Sequence, residues 1–174
     1  FSDKIWVLGG SYSDIWAGSI PPPPAGTLRL TVGTSSREAG TTIPSPGYYY
    51  DTSGKVFHLK AIPSYGYEFV NWTGDVANPN TEETTVTLTS NKTVVANFVK
   101  KNTYNLTMGI SPSNSGSIIP LPGNHSYPEG TIVEIVASPS EGYVFSHWTG
   151  DVANPVSQST TVLVDSNKTI TANF

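Results

Sequence analysis

One stretch of eight residues occurs twice. Trp-Thr-Gly-Asp-Val-Ala-Asn-Pro begins at Trp72 and again at Trp148, and the offset of 76 positions aligns residues 27–98 with 103–174 without a gap. Roughly half of the aligned positions are identical. A copy of about 70 residues buries only a little over 60% of its unfolded surface and is marginal alone, and the short connection Val99-Lys100-Lys101-Asn102 is expected to tie the two copies closely together. The organisation is therefore an arm with a polyproline linker over 1–26, a first copy over 27–99 and a second over 103–174.

Each copy reads as short strands with period-two alternation. Leu28, Leu30 and Val32 alternate in the first, matched by Tyr104, Leu106 and Met108. Phe57, Leu59 and Ala61 follow, matched by Val133, Ile135 and Ala137. Tyr67 and Phe69 answer to Tyr143 and Phe145, and Val86 and Leu88 to Val162 and Val164. Val94, Ala96 and Phe98, or Ile170, Ala172 and Phe174, close each copy. A weaker extended segment at 41–43 and 117–119 is stopped by prolines. No stretch sustains a helical period, and 16 Gly with 14 Pro favour frequent turns. The expected class is all-β, two tandem small domains of β-grasp-like or β-sandwich type behind an extended N-terminal arm.

The shared residues concentrate at turns. Gly66 and Gly142 suit the positive φ of a tight connection. Asn78-Pro79 and Asn154-Pro155 read as turn initiators, because Asn bonds its own downstream backbone and Pro sets φ. The pattern Gly-Tyr-x-Phe-x-x-Trp-Thr-Gly-Asp, followed by Ser-Asn-Lys-Thr and a closing Ala-Asn-Phe, resembles the divergent internalin-B B-repeat family over residues 27–174. The resemblance implies a small β-grasp-like or β-sandwich module of surface or secreted proteins, serving as spacer, stalk or adhesion part, with no catalytic residue. Copy 1 departs from copy 2 by carrying Tyr48-Tyr49-Tyr50 where copy 2 has Asn124-His125-Ser126.

Composition excludes several functions. A formal net charge of −4 with no basic block argues against nucleic acid as a partner. No apolar run approaches the ~20 residues that span a bilayer. Cysteine is absent, which removes thiol catalysis and cysteine–zinc sites. His58, His125 and His147 align with Glu134, Tyr49 and Asn71, so no histidine recurs or sits at metal-ligand spacing. No nucleophile elbow, phosphate loop or His-Glu-x-x-His is present. Neither a metal, a cofactor nor an enzymatic activity is expected.

The remaining candidates are structural or adhesive. Trp72, Gly74 and Asp75, repeated as Trp148, Gly150 and Asp151, read as a structural motif: the indole a lid on the open end of a small sheet, the Asp an acceptor in its turn. Exposed indoles would instead be sugar platforms. Tyr48, Tyr49 and Tyr50 are the better candidates for glycan binding, or they pack on a neighbouring copy. Lys92 with Asp75 and Asn97 has the residue types of a Lys–Asn isopeptide bond, but Lys92 falls in an expected exposed turn.

The arm is the least ordinary segment. Ile5, Trp6, Val7 and Leu8, then Ile15 and Trp16, are too few to build a core and too apolar to stay in water. They fold back as a strand, belong to an upstream domain, or add as a strand to another subunit. Pro21–Pro24 form a stiff spacer of about 12 Å, which favours self-association through strand addition to copies of the chain. The functional expectation is an extracellular or cell-surface structural protein assembling into filaments, with a carbohydrate-binding adhesion module or a spacer of a larger secreted protein as the alternative.

Overall fold

Alternation sets the strands, and the shared turns set their ends. The computed structural model describes residues 22–174, which fall into two units dividing between Lys100 and Lys101. Unit 1 runs β1 (Leu28–Thr34), β2 (Gly40–Ile43), β3 (Gly47–Asp51), β4 (Val56–Pro63), β5 (Tyr67–Thr73), β6 (Glu83–Thr87) and β7 (Lys92–Lys100). Unit 2 runs β8 (Thr103–Ser111), β9 (Gly116–Ile119), β10 (Gly123–Pro128), β11 (Thr131–Pro139), β12 (His147–Thr149), β13 (Ser159–Val164) and β14 (Lys168–Asn173). The described residues contain no helix, hence none long and apolar enough to cross a membrane.

Each unit packs a four-stranded sheet on a three-stranded one. The orders are β3-β1-β7-β5 with β2-β4-β6, and β10-β8-β14-β12 with β13-β11-β9. The first and last strands of each unit lie side by side in parallel, and every other pairing is antiparallel. In unit 1, Leu30, Val32, Val94 and Ala96 of the larger sheet share a core with Leu59, Ala61 and Val86 of the smaller. In unit 2, Leu106, Met108, Ile170 and Ala172 meet Ile135, Ala137 and Val162. Of the two architectures the alternation allowed, two stacked sheets with no helix make the sandwich.

A glycine on each short strand admits the closing aromatic ring. A Cβ added at Gly40 would stand 2.7 Å from both the Ile62 carbonyl oxygen and the Phe98 ring. At Gly116 it would stand 2.6 Å from Phe174 and 2.7 Å from the Ser138 oxygen. Those rings in turn meet Phe69 and Phe145 edge-on, at 6.2 and 5.9 Å between centroids, so in unit 1 the closing Phe packs against strands of both sheets.

The two copies differ where their sequences predict likeness. β5 pairs with β7 from Thr73 out to Tyr67, its outer rungs made with Val99 and Lys100. In unit 2 only His147–Thr149 pair with β14, and Tyr143 and Phe145 lie outside any strand. The expectation that the segments at 67 and 143 form equal strands is corrected: alternation alone does not hold an edge strand without a partner in register.

Gly116→Ala should destabilise unit 2 by about 1–3 kcal/mol, the usual range for overpacking. Gly109→Ala, whose Cβ would meet nothing nearer than 3.4 Å, should be close to neutral. Urea denaturation of the two variants checks the contrast.

Candidate functional site

The repeated eight-residue motif closes one side of each sandwich. Trp72 lies on β5, an edge of the four-stranded sheet, and its backbone N–H donates to Pro79 O at 2.7 Å. Two residues before Pro79 in the same loop, Ala77 N–H donates to Thr85 O on β6, an edge of the other sheet, at 2.8 Å. One loop thus ties the edges of both sheets together. Unit 2 repeats it with Trp148 to Pro155 O at 2.7 Å and Ala153 to Thr161 O at 2.9 Å. Asn78 and Asn154 hold the turn through their side chains, accepting from Asn80 and Val156 two residues on. Gly74 and Gly150 have φ of 106° and 112°, and a Cβ there would overlap the Thr93 or Thr169 carbonyl oxygen. Only glycine serves this corner.

The indoles lie under that loop. Trp72 and Trp148 are 2% and 1% exposed, and each Nε1–H donates to a loop carbonyl, Thr81 O at 3.1 Å and Ser157 O at 2.9 Å. Both rings contact the core, Trp72 beside Phe69 and Trp148 beside Phe145. Neither indole presents a face on which a sugar could stack.

Asp75 and Asp151 lead the loop back to a lysine. Lys92 Nζ donates to Asp75 and Lys168 Nζ to Asp151. The lysines are only 10% and 8% exposed, so the expectation of an exposed Lys92 is corrected: its stem is covered at the head of β7 while its ammonium reaches the carboxylate. Asn97 takes no part, because its amide donates to Asn71 Oδ1 and Thr73 Oγ1. The contact that a Lys–Asn bond requires is not made. The neighbouring Asn91 and Asn167 do something the sequence did not advertise: each accepts the N–H of the first sheet strand, from Arg29 or Asn105, at 2.8 Å.

The three tyrosines are divided by the pleat. Tyr49 turns inward, packing on Phe57 at 6.3 Å between centroids and donating its hydroxyl to Ser45 O. Burial raises its pKa. His125 at the aligned position keeps the same bond, Nε2 donating to Leu121 O at 2.7 Å. Tyr48 lies on the other face, its ring 5.6 Å from the Arg29 guanidinium carbon, and its buried hydroxyl has no hydrogen-bond partner among the described residues. Tyr50 stands across from Arg29 in the register. The triplet is not a three-ring platform, because the middle ring belongs to the core.

Among the described residues no three His, Asp or Glu side chains are placed to hold a metal ion. Ile5, Trp6, Val7, Leu8, Ile15 and Trp16 lie outside the described residues. Beside the motif lysine, copy 2 has a carboxylate that copy 1 lacks: Lys168 also bonds Asp165 at 3.0 Å, where copy 1 has Thr89. The Lys168 hydrogen bond, foremost, holds the Asp165 carboxyl below its ordinary range, and the same two carboxylates raise Lys168. A carboxyl lowered on folding stabilises the fold above its unfolded pKa, about 3.9, and loses that contribution as pH falls through the folded value. Asp165→Asn should therefore lower the melting temperature at about pH 6 and leave it unchanged at about pH 2, as a thermal melt at both values will show.

The family model described as divergent InlB B-repeat domain matches residues 30–102 and again residues 104–174. No curated protein and no solved structure matches the chain. Domains of this family are in general non-catalytic and are typically found in surface or secreted proteins. With two successive matches over most of its length, the chain belongs to the divergent InlB B-repeat family and carries two tandem copies of that domain.

Proposed function

We propose that the chain is a non-catalytic structural component of the cell exterior that self-assembles through its N-terminal arm, residues 2–16 adding as a strand to a neighbouring subunit. The observation that carries this reading is an apolar segment without a core of its own, Ile5–Leu8 and Ile15-Trp16, placed ahead of a proline spacer. Each unit, by contrast, closes its own core and seals one side of its sandwich with its own loop. Two self-sufficient modules supply length and rigidity at the level of each domain, and the arm supplies the adhesive element. The family's typical setting in surface and secreted proteins agrees with a load-bearing or spacing role outside the cell.

Residues 2–16 leave one donor per chain, and a donor that engages another part of the next copy gives a heterologous contact, which propagates instead of closing on itself. Deleting residues 1–20 should leave a monomer at concentrations where the full chain forms higher assemblies. Analytical ultracentrifugation with negative-stain microscopy reads the result, and assemblies that persist unchanged after the deletion would overturn the proposal.

A further inference from the structure

The outer faces of the two three-stranded sheets diverge more than the cores beneath them. Unit 1 sets Val56, His58 and Lys60 across from Thr87, Thr85 and Glu83, and Lys60 Nζ reaches Glu83 at 2.6 Å. Unit 2 sets Ile132, Glu134 and Val136 across from Leu163, Thr161 and Ser159. There Ile132 is 69% exposed and Leu163 48%. The charge differs too. Lys168, Asp151, Asp165 and Glu134 leave this side of unit 2 with two uncompensated negative charges, whereas in unit 1 Lys92 and Lys60 answer Asp75 and Glu83, and Glu82 near Lys60 leaves one.

Beside β13 this face deepens into a groove of about 270 Å³, with Ile132, Val152 and Leu163 as apolar floor and Asp151, Asp165 and Lys168 along the rim. The backbone at its edge is oriented for pairing. Ala137 N–H donates to Gln158 O, so Ala137 and every second residue before it turn their peptide groups toward β13 and engage Thr160 and Val162. Thr161 and Leu163 turn theirs away from β11. The sealing loop takes the Thr161 carbonyl through Ala153, and the N–H and C=O of Leu163 face out below it.

The dimensions select the occupant. Three strands about 4.8 Å apart and some five residues long present roughly 200–300 Å². Two such faces pressed together would bury about 500 Å², well short of the ~1,200 Å² of a stable pair of folded surfaces. A single extended segment fits instead. Residues 4–8 read Lys-Ile-Trp-Val-Leu: an apolar run for the floor, one aromatic anchor, and an ammonium for the acidic rim. We propose that the groove beside Leu163 receives Lys4–Leu8 of a second copy, with its backbone paired to Leu163, Trp6 in the groove and Lys4 against Asp165. This rests on assembly through the arm and assigns the acceptor. Unit 1 carries Thr87 and Thr89 at the two decisive positions, so each chain has one acceptor, in its second unit.

The test gives the full-length chain unit 1's own residues at the groove, Ile132→Val, Leu163→Thr and Asp165→Thr, and measures association by sedimentation velocity. Association should weaken at least tenfold while the melting temperature stays within a few degrees of the parent. If the triple variant melts early, Leu163→Thr alone carries the test: it removes only exposed apolar surface and should weaken association at a melting temperature close to the parent's. Loss of assembly on deleting the arm but full assembly by these variants would overturn the groove as acceptor and leave the arm's role standing. Assembly that survives deletion of the arm, or a full chain that stays monomeric, would overturn both.

Discussion

A pair of backbone hydrogen bonds from one loop ties the two sheets of each unit together along one side. A strand edge exposes unpaired N–H and C=O groups, which invite unplanned pairing. The Trp-Thr-Gly-Asp-Val-Ala-Asn-Pro loop bonds the edge of β5 through Trp72 and the edge of β6 through Ala77, adding backbone hydrogen bonds between two sheets that the chain connections and side-chain packing also hold together. Everything else in the motif serves that crossing. Glycine turns the corner where a Cβ would strike the Thr93 carbonyl, Asn78 holds the turn, and Asp75 is anchored by Lys92 from β7. The indole fills the space beneath and bonds the loop's far end. The same set recurs in unit 2, which explains why identity between the copies is greatest here.

A scaffold closed in this way leaves its variable positions to carry distinctions. Exchange of Tyr49 for His125 keeps the bond to a carbonyl four residues back, so the change preserves the strand. Exchange of Thr87 for Leu163 and Thr89 for Asp165 alters only surface, turning a neutral polar face into an apolar one with an acidic rim. Tandem duplication permits this because two copies of one fold need not present the same face. In the proposed assembly, a donor arm and one altered face would together supply the asymmetry that directional growth requires.

Much of the architecture was legible in residue order. Leu30, Val32, Leu59, Ala61, Val94 and Ala96 alternate in the sequence and all lie in the core. The Asn-Pro turns and the short strands at 41–43 and 117–119 were equally readable, since they depend on local backbone preferences. Lys92 was misplaced, because a lysine in a turn looks solvated until the fold covers its stem and brings a carboxylate from seventeen residues earlier to its ammonium. The Tyr143 segment was misplaced because pairing depends on a partner strand, not on its own pattern. Tyr48–Tyr50 looked like a cluster, and the pleat separated them.

By itself the sequence determined the number of domains, their strand faces and their tight turns, all of which follow from a 76-residue repeat, period-two alternation and the local torsions of Gly, Asn and Pro. Tertiary structure alone decided that the motif loop bridges two sheet edges, that the first and last strands pair in parallel, and that Ile132 and Leu163 share an uncovered face. The division has a physical cause. Strand faces and turns are set within a few residues, whereas an edge or an exposed face acquires meaning only when segments dozens of residues apart are brought side by side.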